Sequence, residues 1–243
     1  MKYVRSLLLL PILFCCICAL AQNEPKQAAQ PSAQQTTPTP SAQVDVYHVS
    51  FNKAAPGKAA EVGQRLSTPD PKAPMPGHFV VLRHQEGDDW DYCVIEHVGT
   101  KATVDPAAMT PDPAFRELSA WHGDTFVSGP PWAEFVRAMG LGDGAAKKNA
   151  VYIVGVFRPA SGHRDPLEQA LKSTPAGAKV PTGAVLMQHL EGAPWTFLQI
   201  TRYDSWQDLA TDRSAAASDQ TWNQLRDHVA FHHDTIADRI APK

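Results

Sequence analysis

Two segments decide the reading of this chain: His84-Gln85-Glu86-Gly87, followed by Trp90, and His189-Leu190-Glu191-Gly192, followed by Trp195. They lie 105 residues apart, and the same offset carries Val46-Tyr47 onto Val151-Tyr152. Further on, Trp121-His122-Gly123-Asp124-Thr125 is echoed by Phe231-His232-His233-Asp234-Thr235 at an offset of 110, as an insertion in the second copy would produce. A period near 100 residues is too long for a solenoid unit and suits a doubled small domain.

Around these anchors the copies read alike. Val44 to Phe51 and Ala150 to Phe157 are rich in Val, Tyr, Phe and Ile and predict strands. The turns Ala55-Pro56-Gly57-Lys58 and Pro159-Ala160-Ser161-Gly162 lead into amphipathic helices, Lys58 to Leu66 and Asp165 to Leu171, each stopped by a Pro-rich stretch. His78 to His84 with Trp90 to Val98, and Ala184 to His189 with Trp195 to Tyr203, form hairpins about their Glu-Gly turns. A closing helix is expected over Pro113 to Phe126 and again over Gln220 to Ile240. Phe115, Leu118 and Phe126 in one copy, and Trp222, Leu225, Val229, Ile236 and Ile240 in the other, fall on helical stripes. The order β-α-β-β-α is the ferredoxin-like arrangement of the α+β class, which leaves one sheet face uncovered. Two such sheets, from a first repeat at 44–139 and a second at 150–243 joined by a linker at 140–149, would pack as a barrel within one monomer, an internal pseudo-dimer.

The Val/Tyr-rich first strand followed by Pro56-Gly57-Lys58 and a helix, over Val46 to Leu66, resembles the dimeric α/β-barrel superfamily with its NIPSNAP-like, EthD-like and antibiotic-biosynthesis-monooxygenase-like domains. By order of elements the resemblance extends over Val44 to Lys243, although the superfamily's usual fourth strand after the last helix is not evident. It implies a group that holds cofactor-independent oxygenases, isomerases, haem enzymes and domains without known activity, so membership does not choose a function.

The ends bear on compartment. Met1 to Ala21 combines Lys2 and Arg5, an apolar run from Leu7 to Leu20 and Ala19-Leu20-Ala21, and predicts a secretory signal peptide too short to remain as a membrane anchor. Gln22 to Gln43, rich in Gln, Ala, Pro, Thr and Ser, predicts a disordered tether. An exported protein, periplasmic or extracellular, is expected. Its mature form keeps Cys93 alone and so has no internal disulfide. The formal charge of −3 becomes −5 once Lys2 and Arg5 leave, and no basic run suggests a nucleic-acid partner.

Polar residues that repeat on an apolar background are the candidate site. His122 and His232 fall on the apolar stripes of the expected helices, where an unpaired imidazole costs about 1–3 kcal/mol, so each is either tied down structurally or set to act as general acid, base or ligand anchor. Thr125 and Thr235, three residues on, would share that face, whereas Asp124 and Asp234 would point away. His84 and His189, ending the second strands, are candidate ligand-binding residues at a cavity mouth. His48 has Ile153 as its counterpart, an asymmetry that allows one half to be active. His228 and His232 have zinc-like spacing, but no His-Glu-x-x-His motif accompanies them, and neither a metal nor a cofactor is expected. Trp90 and Trp195 read as packing anchors, and the Gly-rich Gly140 to Gly144 as linker. The functional expectation is a small organic ligand bound near His122 and His232; an oxygenase- or isomerase-like enzyme using His as base, or a non-catalytic module of the cell envelope, are the alternatives.

Overall fold

Tyr47, Val49 and Phe51 alternate with His48, Ser50 and Asn52, and that period of two divides the first strand into an inward apolar face and an outward polar one. The computed structural model describes residues 44–71, 73, 75–100, 113–142, 149–173, 181–216, 223 and 225–242. The expected leader and tether, linker residues 143–148 and Trp222 lie outside these. Strands β1 (Asp45–Ala54), β2 (Phe79–Glu86), β3 (Tyr92–Gly99) and β4 (Ser119–Gly129) come from the first half, and β5 (Val151–Pro159), β6 (Gly183–Glu191), β7 (Phe197–Tyr203) and β8 (Val229–Ala241) from the second. They close an antiparallel barrel in the order β1-β3-β2-β8-β5-β7-β6-β4. The halves therefore meet along two seams, β2 with β8 and β4 with β6.

Helices α1 (Ala59–Leu66), α2 (Pro113–Arg116), α4 (Arg164–Lys172) and α5 (Trp206–Ala216) lie between strands, and α3 (Trp132–Met139) joins the halves. Val62 of α1 and Leu167 of α4 pack on the outward faces of their sheets. The barrel interior is filled by Tyr47, Leu82, Ile95, Met187, Leu198 and Ile200, all buried, each contributing roughly 1.5–3 kcal/mol by leaving water. Helix α3 plugs one end with Phe135 and Met139, both 0% exposed. The repeated Val-Tyr pair acquires a physical reason here: Tyr47 Oη donates to Pro130 O just before the plug (2.6 Å), and Tyr152 Oη donates to Met139 O at its end (2.9 Å).

The expected closing helices begin as helix, at Pro113–Arg116 and at residues 223, 225 and 226, but continue as strands. Residues 119–126 belong to β4 and 229–240 to β8, so each half runs β-α-β-β-α-β and supplies the fourth strand that the sequence did not reveal. Positions four apart, such as 232, 236 and 240, fit a strand of period two as well as a helix, and Thr125, Val127, Thr235 and Ala237 alternate inward as a strand requires. The repeated Glu-Gly turns serve the seams. Gly87 (φ 130) rests where a Cβ would come within 2.6 Å of Asp234 O, and Gly192 (φ 104) does the same against Asp124 O. Each hairpin tip thus lies directly on the last strand of the other half.

Candidate functional site

Because β4 and β8 are strands, residues two apart share a face, and the expected geometry of His-x-Asp-Thr is inverted. Asp124 lies beside His122 (Oδ2 to Nε2, 3.1 Å), and Asp234 accepts from His232 (Oδ1 to Nε2, 2.7 Å). Thr125 and Thr235 turn to the opposite, inward face, where they are 3% and 2% exposed. There Thr125 Oγ1 donates to Glu191 O (2.6 Å), while Thr235 Oγ1 accepts from Asp88 N (3.3 Å). His84 and His189 also face inward, edge-on to Trp90 and Trp195 at ring distances of 5.7 and 5.5 Å. The six residues singled out from sequence therefore divide into two sets: His122 and His232 outside the barrel wall, His84, His189, Thr125 and Thr235 within it.

On the outward face of the first half, cross-strand register assembles a larger polar group. His48 lies opposite Glu96 on β3 and Phe126 on β4, with Asp124 two pairs along on the same face. Its Nδ1 is 2.9 Å from Glu96 Oε2 and its Nε2 is 3.3 Å from Asp124 Oδ1, so a carboxylate faces each ring nitrogen. Burial works to lower the His48 pKa, but the hydrogen bonds to Asp124 and Glu96 prevail and push it up to about 9. Burial acts to raise Asp124, yet His48 and then His122 hold it below the usual carboxylate range. Asp124 thus bridges a fixed imidazolium, His48, and a second imidazole, His122, whose side chain is 40% exposed. Asn52, 3% exposed, donates from Nδ2 to Ser50 Oγ at 3.0 Å on the same face.

The second half answers differently at the same places. Ile153 replaces His48, Gly155 replaces Ser50 and Phe157 replaces Asn52. His232 stacks on Phe157 with centroids 4.4 Å apart, and Asp234 turns its other oxygen to Arg213 of α5 at 2.7 Å. A permanent cation takes the part that His48 plays in the first half.

A third cluster, unforeseen in the sequence, lies at the plug. Asp45 Oδ2 is 2.9 Å from His97 Nε2 and accepts from Trp132 N at 2.9 Å, while His97 Nδ1 meets His78 Nδ1 at 3.1 Å. Both imidazoles stack on Trp132. Burial lowers the His97 pKa against the pull of Asp45. The available signal was parity: Asp45 has the inward register of Tyr47, and His97 pairs directly opposite Tyr47.

Among the described residues no three His, Cys, Asp or Glu side chains are grouped to hold a metal ion. The zinc-like pair separates, His228 meeting His163 through Nδ1 atoms 2.9 Å apart. No described helix is long and apolar enough to cross a membrane.

No protein-family model and no curated protein matches the chain. Solved structures do. An anthrone oxidase-like protein superposes with a TM-score of 0.56 at 13% identity over 83% of this chain and 92% of its own. A candidate monooxygenase from Lactobacillus acidophilus gives 0.52 at 12% identity over 81% and 94%. With the strand order above, these likenesses establish the fold as the dimeric α/β-barrel type, here closed by one chain.

Proposed function

We propose that this is an exported protein, formed by tandem duplication, that binds a small, partly apolar organic molecule on the outward face of its first half. The observation that carries the reading is the His48-Asp124-His122 chain, in which a half-buried imidazolium fixes a charged carboxylate beside an exposed imidazole. With Nε2 of His122 turned toward Asp124, its Nδ1 is the atom that meets a ligand proton. His232, whose partner Asp234 is paired with Arg213, holds the second half's structure instead.

The enzymatic form of this reading is favoured by the anthrone oxidase-like and monooxygenase-type neighbours. A doubly activated CH2 group would lose one proton to His122 Nδ1, and its electron pair would pass to dioxygen as a C–O bond forms. Return of the proton gives a hydroperoxide, and loss of water, with the second hydrogen leaving carbon, gives the ketone. Carbon is oxidised, dioxygen is reduced, and the protein supplies a base and a charged anchor.

The test begins with native mass spectrometry and metal analysis of the purified chain, followed by anthrone in aerated buffer with oxygen uptake recorded. A co-purifying organic mass, or uptake that His122→Gln abolishes while unfolding stays cooperative, is the expected result. A clean apo mass, with anthrone changing neither oxygen uptake nor the His122 ring resonances, refutes the reading and leaves the non-catalytic envelope module. The double variant His122→Gln/His232→Gln should still fold cooperatively.

A further inference from the structure

The end of the barrel opposite the plug is built asymmetrically. At the β4–β6 seam the polar groups are closed among themselves: His189 Nε2 accepts from Ala193 N at 2.8 Å, and Thr125 Oγ1 donates to Glu191 O. At the equivalent β2–β8 seam, the amide that corresponds to Ala193 N is Asp88 N, and it donates to Thr235 Oγ1 instead. His84 Nε2 is left buried without a hydrogen-bond partner. On the neighbouring strand, where the first half has Gly123, the second half has His233, and His233 Nε2 is also buried without a partner. The third such atom, Arg202 Nε, lies at the plug end beside Gly140.

Register puts the two imidazoles on one surface. His84 pairs opposite Ala237 of β8, an interior residue, and His233 pairs opposite Val156 of β5, which packs on the barrel core. A buried polar atom left unpaired carries its full desolvation cost, and two on the inward face, opposite and along β8, mark groups open to a partner from outside the chain. The same rim supplies a cation and aromatic walls. Arg158, two pairs beyond Val156 on the same face, is exposed and lies over the Phe231 ring at 5.7 Å, with no carboxylate partner among the described residues. Phe231 is 44% exposed, and Trp90 stands edge-on to His84.

We propose that this mouth, at the β2–β8 seam, is a second binding site, for a small aromatic carboxylate. Nε2 of His84 and of His233 hydrogen-bond the ligand's oxygens, Arg158 compensates its charge and Phe231 and Trp90 flank its ring. The site is independent of the outward cluster at His122, which lies on the other face of the barrel wall.

Titration of the full chain with benzoate and with cinnamate, followed by 15N-detected histidine ring spectra and calorimetry, tests it. Saturable shifts of the His84 and His233 Nε2 resonances are expected. His84→Gln and His233→Gly, the latter installing the residue of the other half, should each weaken binding tenfold or more, and His122→Gln should leave it unchanged. Non-saturating shifts, or an affinity that neither variant lowers, overturn the proposal. Equal weakening by His122→Gln would assign the carboxylate to the outward site and likewise overturn it. Arg158→Gln, on the exposed rim, provides a variant that does not disturb the core and should also weaken binding.

Discussion

Replacing His48 by Gln removes the cation that separates Glu96 from Asp124 and leaves most of the side-chain volume in place. Raising this imidazole from 6.5 to about 9 corresponds to about 3 kcal/mol of preference for the charged form in the folded state. Glu96 and Asp124 are 35% and 43% exposed, so solvent screening reduces the realised contribution to about 1–2 kcal/mol. The sign follows from linkage: a basic group raised on folding contributes fully below its unfolded pKa of about 6.5 and contributes nothing once pH passes its folded value near 9. His48→Gln should therefore lower the melting temperature by roughly 2–8 °C at pH 6, and the difference from the parent protein should shrink to nothing by about pH 9.5. Paired melts by circular dichroism from pH 5.5 to 10, with the His48 ring titrated by NMR, measure both quantities. A destabilisation that is flat across that range, or a His48 that titrates near 6.5, would refute the assignment of an imidazolium held by two carboxylates.

Asp45→Asn should cost about 1–3 kcal/mol by weakening acceptance from both His97 and Trp132 N, and hydrogen exchange of residues 132–139 should quicken selectively. His97, held low by burial, contributes stability that is full above about pH 6.5 and lost as pH falls, so acidification from pH 7.5 to 5 should raise exchange at the plug first, the reverse of the His48 trend. Gly87→Ala and Gly192→Ala, each meeting a backbone oxygen of the opposite half at a positive φ, should each destabilise by roughly 2 kcal/mol or more, read from denaturant midpoints; a neutral result at either seam would contradict the close approach. Cys93, fully buried with its pKa raised by desolvation, should react with a disulfide reagent only at the rate of unfolding.

The strands at Val44 to Phe51 and Ala150 to Phe157, the first helices and both hairpins were legible because inward and outward positions alternate with few exceptions. The last strand of each half was not, since its outward residues at 232, 236 and 240 also satisfy a helical repeat. The ambiguity reaches the site: on a helix Asp124 cannot reach His122, on a strand it must lie beside it. His122 was visible as a repeated polar residue, but its connection through Asp124 to His48 and Glu96 requires three strands in register, β4, β1 and β3, and no local pattern encodes that. The Asp45-His97-His78 cluster was invisible for the same reason, joining residues 52 and 19 apart across the ends of three strands.

The two halves, compared position by position in the folded barrel, separate what the architecture demands from what it does not. Tyr47 and Tyr152 keep the plug, Gly87 and Gly192 keep the seams, and Trp90 and Trp195 fill the same end. These agree because either half would fail to close without them. Opposite Tyr47 stands His97, whereas opposite Tyr152 stands Arg202; opposite His48 stands Glu96, whereas Ile153 faces Thr201. His233 has only Gly123 as its counterpart on β4. None of these polar residues is needed for closure, since the other half closes without it. Each also carries an electrostatic or desolvation cost that an apolar residue would avoid. Chemistry beyond folding therefore belongs where the halves disagree, and away from the plug the disagreements gather at the outward face of β1 and at the β2–β8 mouth, the two places where ligands are proposed.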